Sequence, residues 1–185
     1  TYTVELVQQV DGVLTSLSYQ TPFEVKPLRE GALPGASREE VAAFWEEYEA
    51  TFGAYTVLAA QMSRAKDYAE RLVMGMKNTP GATPEMRLTL TELAKDLYRM
   101  DSGLNGQPEK LQVGEKNNPV VFDRIFAVMR GVERSTYGPT AMHRMSLDAA
   151  NVQIKEITAA LNEWKATASK LGKDIQAAGG PWVME

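Results

Sequence analysis

Five carboxylates, Glu39, Glu40, Glu46, Glu47 and Glu49, form the densest cluster of potentially reactive groups in this 185-residue chain. Paired acids are what glycoside hydrolysis requires, but the two must flank one cleft across a sugar-sized gap, and nothing in the sequence brings two of these together. Acids in the first turns of a helix complement its dipole, and the rest mark a solvated face. The single histidine, His143, raises the question of a carboxylate-bridged metal centre in a bundle core. Such a centre needs a Glu from each of two helices and Glu-x-x-His from two more, and the residue three before His143 is Thr140. His143 is therefore read as a packed residue at a helix start. Trp45, Tyr48, Phe52, Tyr55 and Trp164 could stack on sugars or bases, yet all five fall on helical seams, where core packing accounts for them. Trp182 lies beyond the last expected helix, after Gly179-Gly180-Pro181, and either plugs the bundle end or contacts a neighbouring domain, the second being the preferred reading. No catalytic set, cofactor-binding motif or metal-ligand set is identified.

The elements that hold these residues are legible from periodicity. One apolar seam runs Val41, Trp45, Tyr48, Phe52, Tyr55, Ala59, Met62, Lys66, Ala69, Val73, Met76, broken only at Lys66. A second runs Ala150, Ile154, Ile157, Leu161, Trp164, Ala168, Leu171, Ile175, Ala178. Alternating steps of four and three keep one helical face toward a partner, so two long helices are predicted. Ser37-Arg38-Glu39-Glu40 fits a capping box and starts the first helix at Arg38; Asn78-Thr79-Pro80-Gly81 stops it after Lys77. Thr83-Pro84 opens a second helix through Met86, Leu90, Leu93, Leu97 and Met100, ending at Ser102-Gly103. The stretch to Asn118 is predicted to be a loop, and Pro119 to start a third helix with Val121, Ile125, Val128 and Val132 inward. Thr140 caps the last helix.

The predicted fold is mainly α: an antiparallel up-down-up-down helical bundle with two long and two shorter helices, preceded by a β-hairpin. Short connections favour antiparallel neighbours, which places a four-helix section at the end bearing the 78–83 and 137–140 turns, with a slimmer section beyond it. The hairpin occupies residues 1–26, with Tyr2, Val4 and Leu6 alternating with Thr3, Glu5 and Val7 and a return at Asp11-Gly12. Residues 27–36 read as a linker and 37–185 as the bundle. An isolated two-stranded hairpin is marginal in water, so this one either ends an Ig-like sandwich begun upstream or packs on the bundle.

Composition narrows the partners. Net charge is −4, with Lys and Arg interleaved with acids, which leaves no footprint for nucleic acid. There is no apolar run of membrane-spanning length, and the first residues lack the basic start and apolar stretch of a signal peptide. The absence of cysteine excludes disulfides and thiolate chemistry and is compatible with cytoplasm or periplasm alike.

Taken in order, Thr1-Tyr2-Thr3-Val4-Glu5-Leu6, a return ending in Pro22-Phe23-Glu24-Val25-Lys26-Pro27, the Pro139-Thr140 helix start, Leu161…Trp164, and Leu171…Ile175-Gln176-Ala177-Ala178-Gly179 resemble the C-terminal region of bacterial sortilin-like, BNR-repeat proteins often labelled glycosyl hydrolases. In that family a β-propeller is followed by an Ig-like domain and a closing helical region. The resemblance implies a non-catalytic accessory region of a larger exported protein, periplasmic or secreted. Its partners would be the upstream domains of the same parent, and any propeller-based activity would lie outside this chain. Two other readings stand beside it: a self-associating coiled-coil module forming a homo-oligomer, and a fragment of a glycoside hydrolase whose catalytic domain is absent. The longer linker from Pro27 to Ser37 and the 103–118 loop depart from the family pattern.

Overall fold

A computed structural model describes residues 2–26, 33–135 and 137–184. The chain divides into two units, Thr1–Pro34 and Gly35–Glu185. Most of the expected linker, residues 27–32, lies outside the described residues.

In the first unit, Asp11 and Gly12 take φ values of +49° and +82°, the left-handed pair that a two-residue hairpin turn demands and that Asp-Gly supplies at low cost. The turn fixes the register: β2 (Val7–Val10) pairs antiparallel with β3 (Val13–Ser16), Val10 opposite Val13. Farther out, β1 (Tyr2–Val4) pairs with β4 (Thr21–Phe23), Tyr2 opposite Phe23. The two pairs are successive parts of one hairpin, joined by the Leu17 amide donating to the Leu6 carbonyl at 2.8 Å. Between them the arms are unequal, Glu5 standing opposite Ser18, Tyr19 and Gln20. The Leu6 amide is satisfied there by the Ser18 hydroxyl at 2.9 Å.

The second unit is the mainly α bundle, with two long helices and shorter ones between them. Helix α1 (Arg38–Lys77) starts with the reciprocal bonds of a capping box: the Glu40 amide to Ser37 Oγ at 3.1 Å and the Ser37 amide to Glu40 Oε2 at 2.8 Å. Helix α2 (Pro84–Asn105) has Thr83 as its cap and proline at its first position. It runs past the expected stop at Gly103, because Leu104 adds another fully buried side chain and Gly103 lies 3.6 Å or more from its nearest neighbour, Ile157, even with a Cβ added. The expected loop contains a one-turn helix, α3 (Pro108–Gln112). Helix α4 (Val121–Glu133) begins two residues after Pro119, where the Asp123 carboxylate accepts the Val120 amide at 3.3 Å. Helix α5 (Ala141–Ala177) is capped by Thr140 and ends at Gly179, φ +82°.

The path through the bundle differs from strict alternation. Thr51 bonds Asn151, Gln61 bonds Lys165, Tyr68 bonds the Ala168 carbonyl, and the Gly81 amide reaches the Ala178 carbonyl, so α1 and α5 ascend side by side in the same direction. Lys66–Asp101 and Tyr55–Asn105 show α2 descending beside them. The Phe122 ring then lies 6.1 Å from Tyr55, and α4 continues downward. The chain thus climbs once, descends in two pieces and climbs again. The 78–83 and 137–140 turns lie at opposite ends, so the four-helix section and the slimmer section expected from the sequence are replaced by three helices side by side throughout. The short α2 and α4 fit end to end along the long pair, which buries more of it than side-by-side placement.

The second seam and those of α2 and α4 bury the expected residues, except that Ile157, Met86, Leu90 and Ala178 are only partly covered. The first is displaced by one residue at every other position. Tyr48, Met62 and Met76 are buried as expected, but their companions are Phe44, Thr51, Leu58, Ala65 and Leu72 instead of Trp45, Phe52, Ala59, Lys66 and Val73. Both series keep four-three spacing, and only neighbours in space decide between them. Lys66 is accordingly no break in the seam; it sits on the surface, 2.6 Å from Asp101.

Candidate interaction surface

The phase of the hairpin ladder determines what each face presents. Val10 and Val13 flank the two-residue turn and so exchange main-chain bonds, and Leu6 with Leu17 continues that phase. Pro22 has no N–H yet pairs opposite Thr3, so these two residues must point their main-chain groups away from each other. Residues 2, 4, 6, 8 and 10 therefore share one face, with 13, 15, 17, 21 and 23 across from them. That face carries Tyr2, Val4, Leu6, Val10, Val13, Leu17 and Phe23, with Gln8, Thr15 and Thr21 among them. The other carries Thr3, Glu5, Gln9, Ser16 and Glu24, with Val7, Leu14 and Pro22 among them. On the polar face, hydrogen bonds from Ser16 and then Gln20, the latter at 3.1 Å, hold the Glu5 carboxyl below its ordinary value.

Within the first unit this face is exposed. Its seven apolar side chains are between 45% and 65% exposed, and Tyr2 stacks on Phe23 with ring centroids 5.8 Å apart. Full burial of such side chains is worth about 1.5–3 kcal/mol each. A face richer in apolar side chains than its opposite is what a strand pair with one side against a core presents.

In the bundle the aromatics expected in the core split into two groups. Tyr48 and Trp164 are buried, Trp164 Nε1 donating to the Leu93 carbonyl at 2.8 Å. Phe52 is 45% exposed and joins a row of rings running from the core to the surface, Trp45, Tyr48, Phe52, Tyr55, Phe122, Phe126, with successive centroids 5.2–6.3 Å apart and Arg130 over the last ring. Phe122 and Phe126, unremarked in the sequence, stand one turn apart on the side of α4 away from its seam; that i, i+4 pairing was the available signal. From Tyr48 through Phe126 most rings lie offset-stacked on one another, so much of the ring-face area that a sugar or base would need is already taken. Burial, and then the Glu133 carboxylate, raises the Tyr48 phenol above its ordinary value, and burial followed by Asp101 does the same for Tyr55.

His143 is part of a cap. Its amide donates to Thr140 Oγ1 at 3.4 Å and its Nδ1 accepts the Thr140 amide at 3.2 Å. The ring lies where a Cβ on Gly131 would stand, which requires glycine at that point of α4. Among the described residues no group of three or more His, Cys, Asp or Glu side chains is placed to hold a metal ion, and no helix is long and apolar enough to cross a membrane. The carboxylate cluster is spread along α1: Glu40 belongs to the cap, Glu39 sits in the first turn, and Glu46, Glu47 and Glu49 are exposed.

Trp182 is 70% exposed on a segment that folds back over the end of the bundle after Gly179. The segment is pinned by the two residues that follow Trp182. Val183 is buried against Gly75, where a Cβ would come within 2.7 Å of Val183 Cγ2, and Arg71 Nε donates to the Met184 carbonyl at 3.0 Å. The indole lies between two open grooves, one lined by Glu70, Met74 and Asn78, the other by Ser169, Lys173 and Gln176. No known family model, curated protein or solved structure matches the chain.

Proposed function

We propose that this chain is a non-catalytic accessory region of a larger exported bacterial protein of the β-propeller, glycosyl-hydrolase-like kind. Its hairpin completes an Ig-like sandwich, and its bundle supports or docks the neighbouring domains, with Trp182 as a second contact point. The observation that carries the reading is the hairpin's exposed apolar face, Tyr2, Val4, Leu6, Val10, Val13, Leu17 and Phe23, which has the composition of a sandwich interior. The order of elements, hairpin before bundle, agrees with the resemblance drawn from the sequence. Extracytoplasmic location belongs to the same proposal.

The natural reading frame around Thr1 tests it: a strand-rich segment preceded by a propeller supports the reading, and a start codon immediately before Thr1 refutes it. An enzymatic role for the chain by itself requires turnover of aryl glycosides by the purified protein, and none is expected. Self-association draws on the aromatic row of α1 and α4, since α4 covers the half of the long pair that was expected to be bare. Sedimentation that stays monomeric over a wide concentration range counts against it.

A further inference from the structure

The two outer edges of the hairpin are not equivalent. Along the first arm the inward residues are 2, 4, 6, 8 and 10, so Thr3 in β1, Val7 and Gln9 in β2, and Glu5 between the two strands direct their N–H and C=O groups outward. Along the second arm, Leu14 and Ser16 point outward, then Ser18, Tyr19 and Gln20 bulge, and the next outward residue is Pro22, which has no N–H to offer. A bulge and a proline are the devices by which sheets close an edge to further pairing. The first arm carries neither.

We propose that the β1–β2 edge is a strand-addition site. It accepts an extended partner strand through the main-chain groups of Thr3, Glu5, Val7 and Gln9, while the β3–β4 edge remains a terminal edge facing solvent. The inference rests on the reading that the hairpin belongs to a larger sheet, and it specifies how: the occupant is a β-strand of that sheet, with apolar residues on the Tyr2–Val4–Leu6 side. Main-chain bonding supplies the register, and the apolar face supplies the burial. A helix could cover the face but cannot satisfy a row of outward main-chain groups. A second copy of the hairpin laid on the apolar face would leave the row unpaired.

Residue-resolved amide hydrogen exchange tests the site, comparing the isolated chain with the polypeptide as its natural gene encodes it. The Thr3, Glu5, Val7 and Gln9 amides are expected to slow by about tenfold or more in the natural polypeptide, with Leu14, Ser16 and Glu24 little changed. Slowing at Leu14, Ser16 and Glu24 with the first row unchanged overturns the edge assignment and leaves the larger-sheet reading intact. No slowing on either edge, with Tyr2 and Phe23 as open to hydroxyl-radical labelling as in the isolated chain, overturns both. Thr3→Pro gives an independent check, because it removes one outward N–H as Pro22 already does on the other arm. It should lower the thermal midpoint of the natural polypeptide while leaving that of the isolated chain unchanged; equal shifts in both refute the site.

Discussion

Replacing Gly75 by alanine sets two opposed effects against each other at one atom. Gly75 is buried inside α1, and alanine is about 1 kcal/mol better than glycine in a helix interior. The added methyl, however, would stand 2.7 Å from Val183 Cγ2, whereas Ile175 at 3.6 Å is in ordinary contact. Val183 is stiff about its first side-chain torsion, so the closing segment must leave its seat. Unseating Val183 forfeits about 1.5 kcal/mol of apolar burial, and losing the Arg71 bond to Met184 adds about 1 kcal/mol. Gly75→Ala should therefore destabilise by about 1–2 kcal/mol net. Val183→Ala alone should cost about 1.5 kcal/mol and, by removing the clashing methyl and letting the segment reseat with its Arg71 bond, should recover about 1 kcal/mol when added to Gly75→Ala. Urea unfolding of the four proteins followed by circular dichroism yields the coupling, expected to be about 2.5 kcal/mol, and limited proteolysis should cut the single Gly75→Ala variant near Trp182. Additivity to within about 0.5 kcal/mol would refute the packing argument, since residues out of contact behave that way.

Other perturbations address the seams. Leu161→Ala removes a fully buried side chain and should cost about 2–5 kcal/mol, with Glu47→Ala within about 0.5 kcal/mol of the parent in the same denaturation assay. The displaced seam of α1 is checked by Phe44→Ala, expected to cost about 3–5 kcal/mol, against Phe52→Ala, expected to cost about 1 kcal/mol; the reverse order would restore the alternative register. At high pH the raised Tyr48 phenol acts against the fold: the folded state holds its proton more tightly, so this contribution is intact below the ordinary value of 10.0 and is lost as pH rises through the folded value. Thermal midpoints of Tyr48→Phe should accordingly fall less steeply above that pH than those of the parent.

Caps and turns were legible because they are local. Ser37 with Glu40, Thr83-Pro84, Thr140 and Asp11-Gly12 each satisfy a main-chain requirement within a few residues, and the structure uses all four. The α1 seam was half legible: Tyr48, Met62 and Met76 belong to both possible series, and choosing Phe44 over Trp45 depends on α4 and α5, which sequence spacing does not contain. The direction of α5 was hidden for a similar reason. Loop length specifies neighbours only when the loop is short, and the α2–α4 connection carries its own helical turn. For the candidate surface, alternation of Tyr2, Val4 and Leu6 was visible in the sequence, but the inequality of the two edges required the register that places Pro22 opposite Thr3.

An odd number of passes has a mechanical consequence. Because the second unit goes up, down in two pieces and up again, residues 35 and 184 sit at opposite ends of it, separated by about the length of α1, whose 40 residues at 1.5 Å each span about 60 Å. A domain whose ends lie side by side can be inserted into a loop of another protein; the ends of this unit lie a helix length apart. Pulling on the two ends of the unit loads α1 and α5 along their axes instead of peeling one helix from its neighbours.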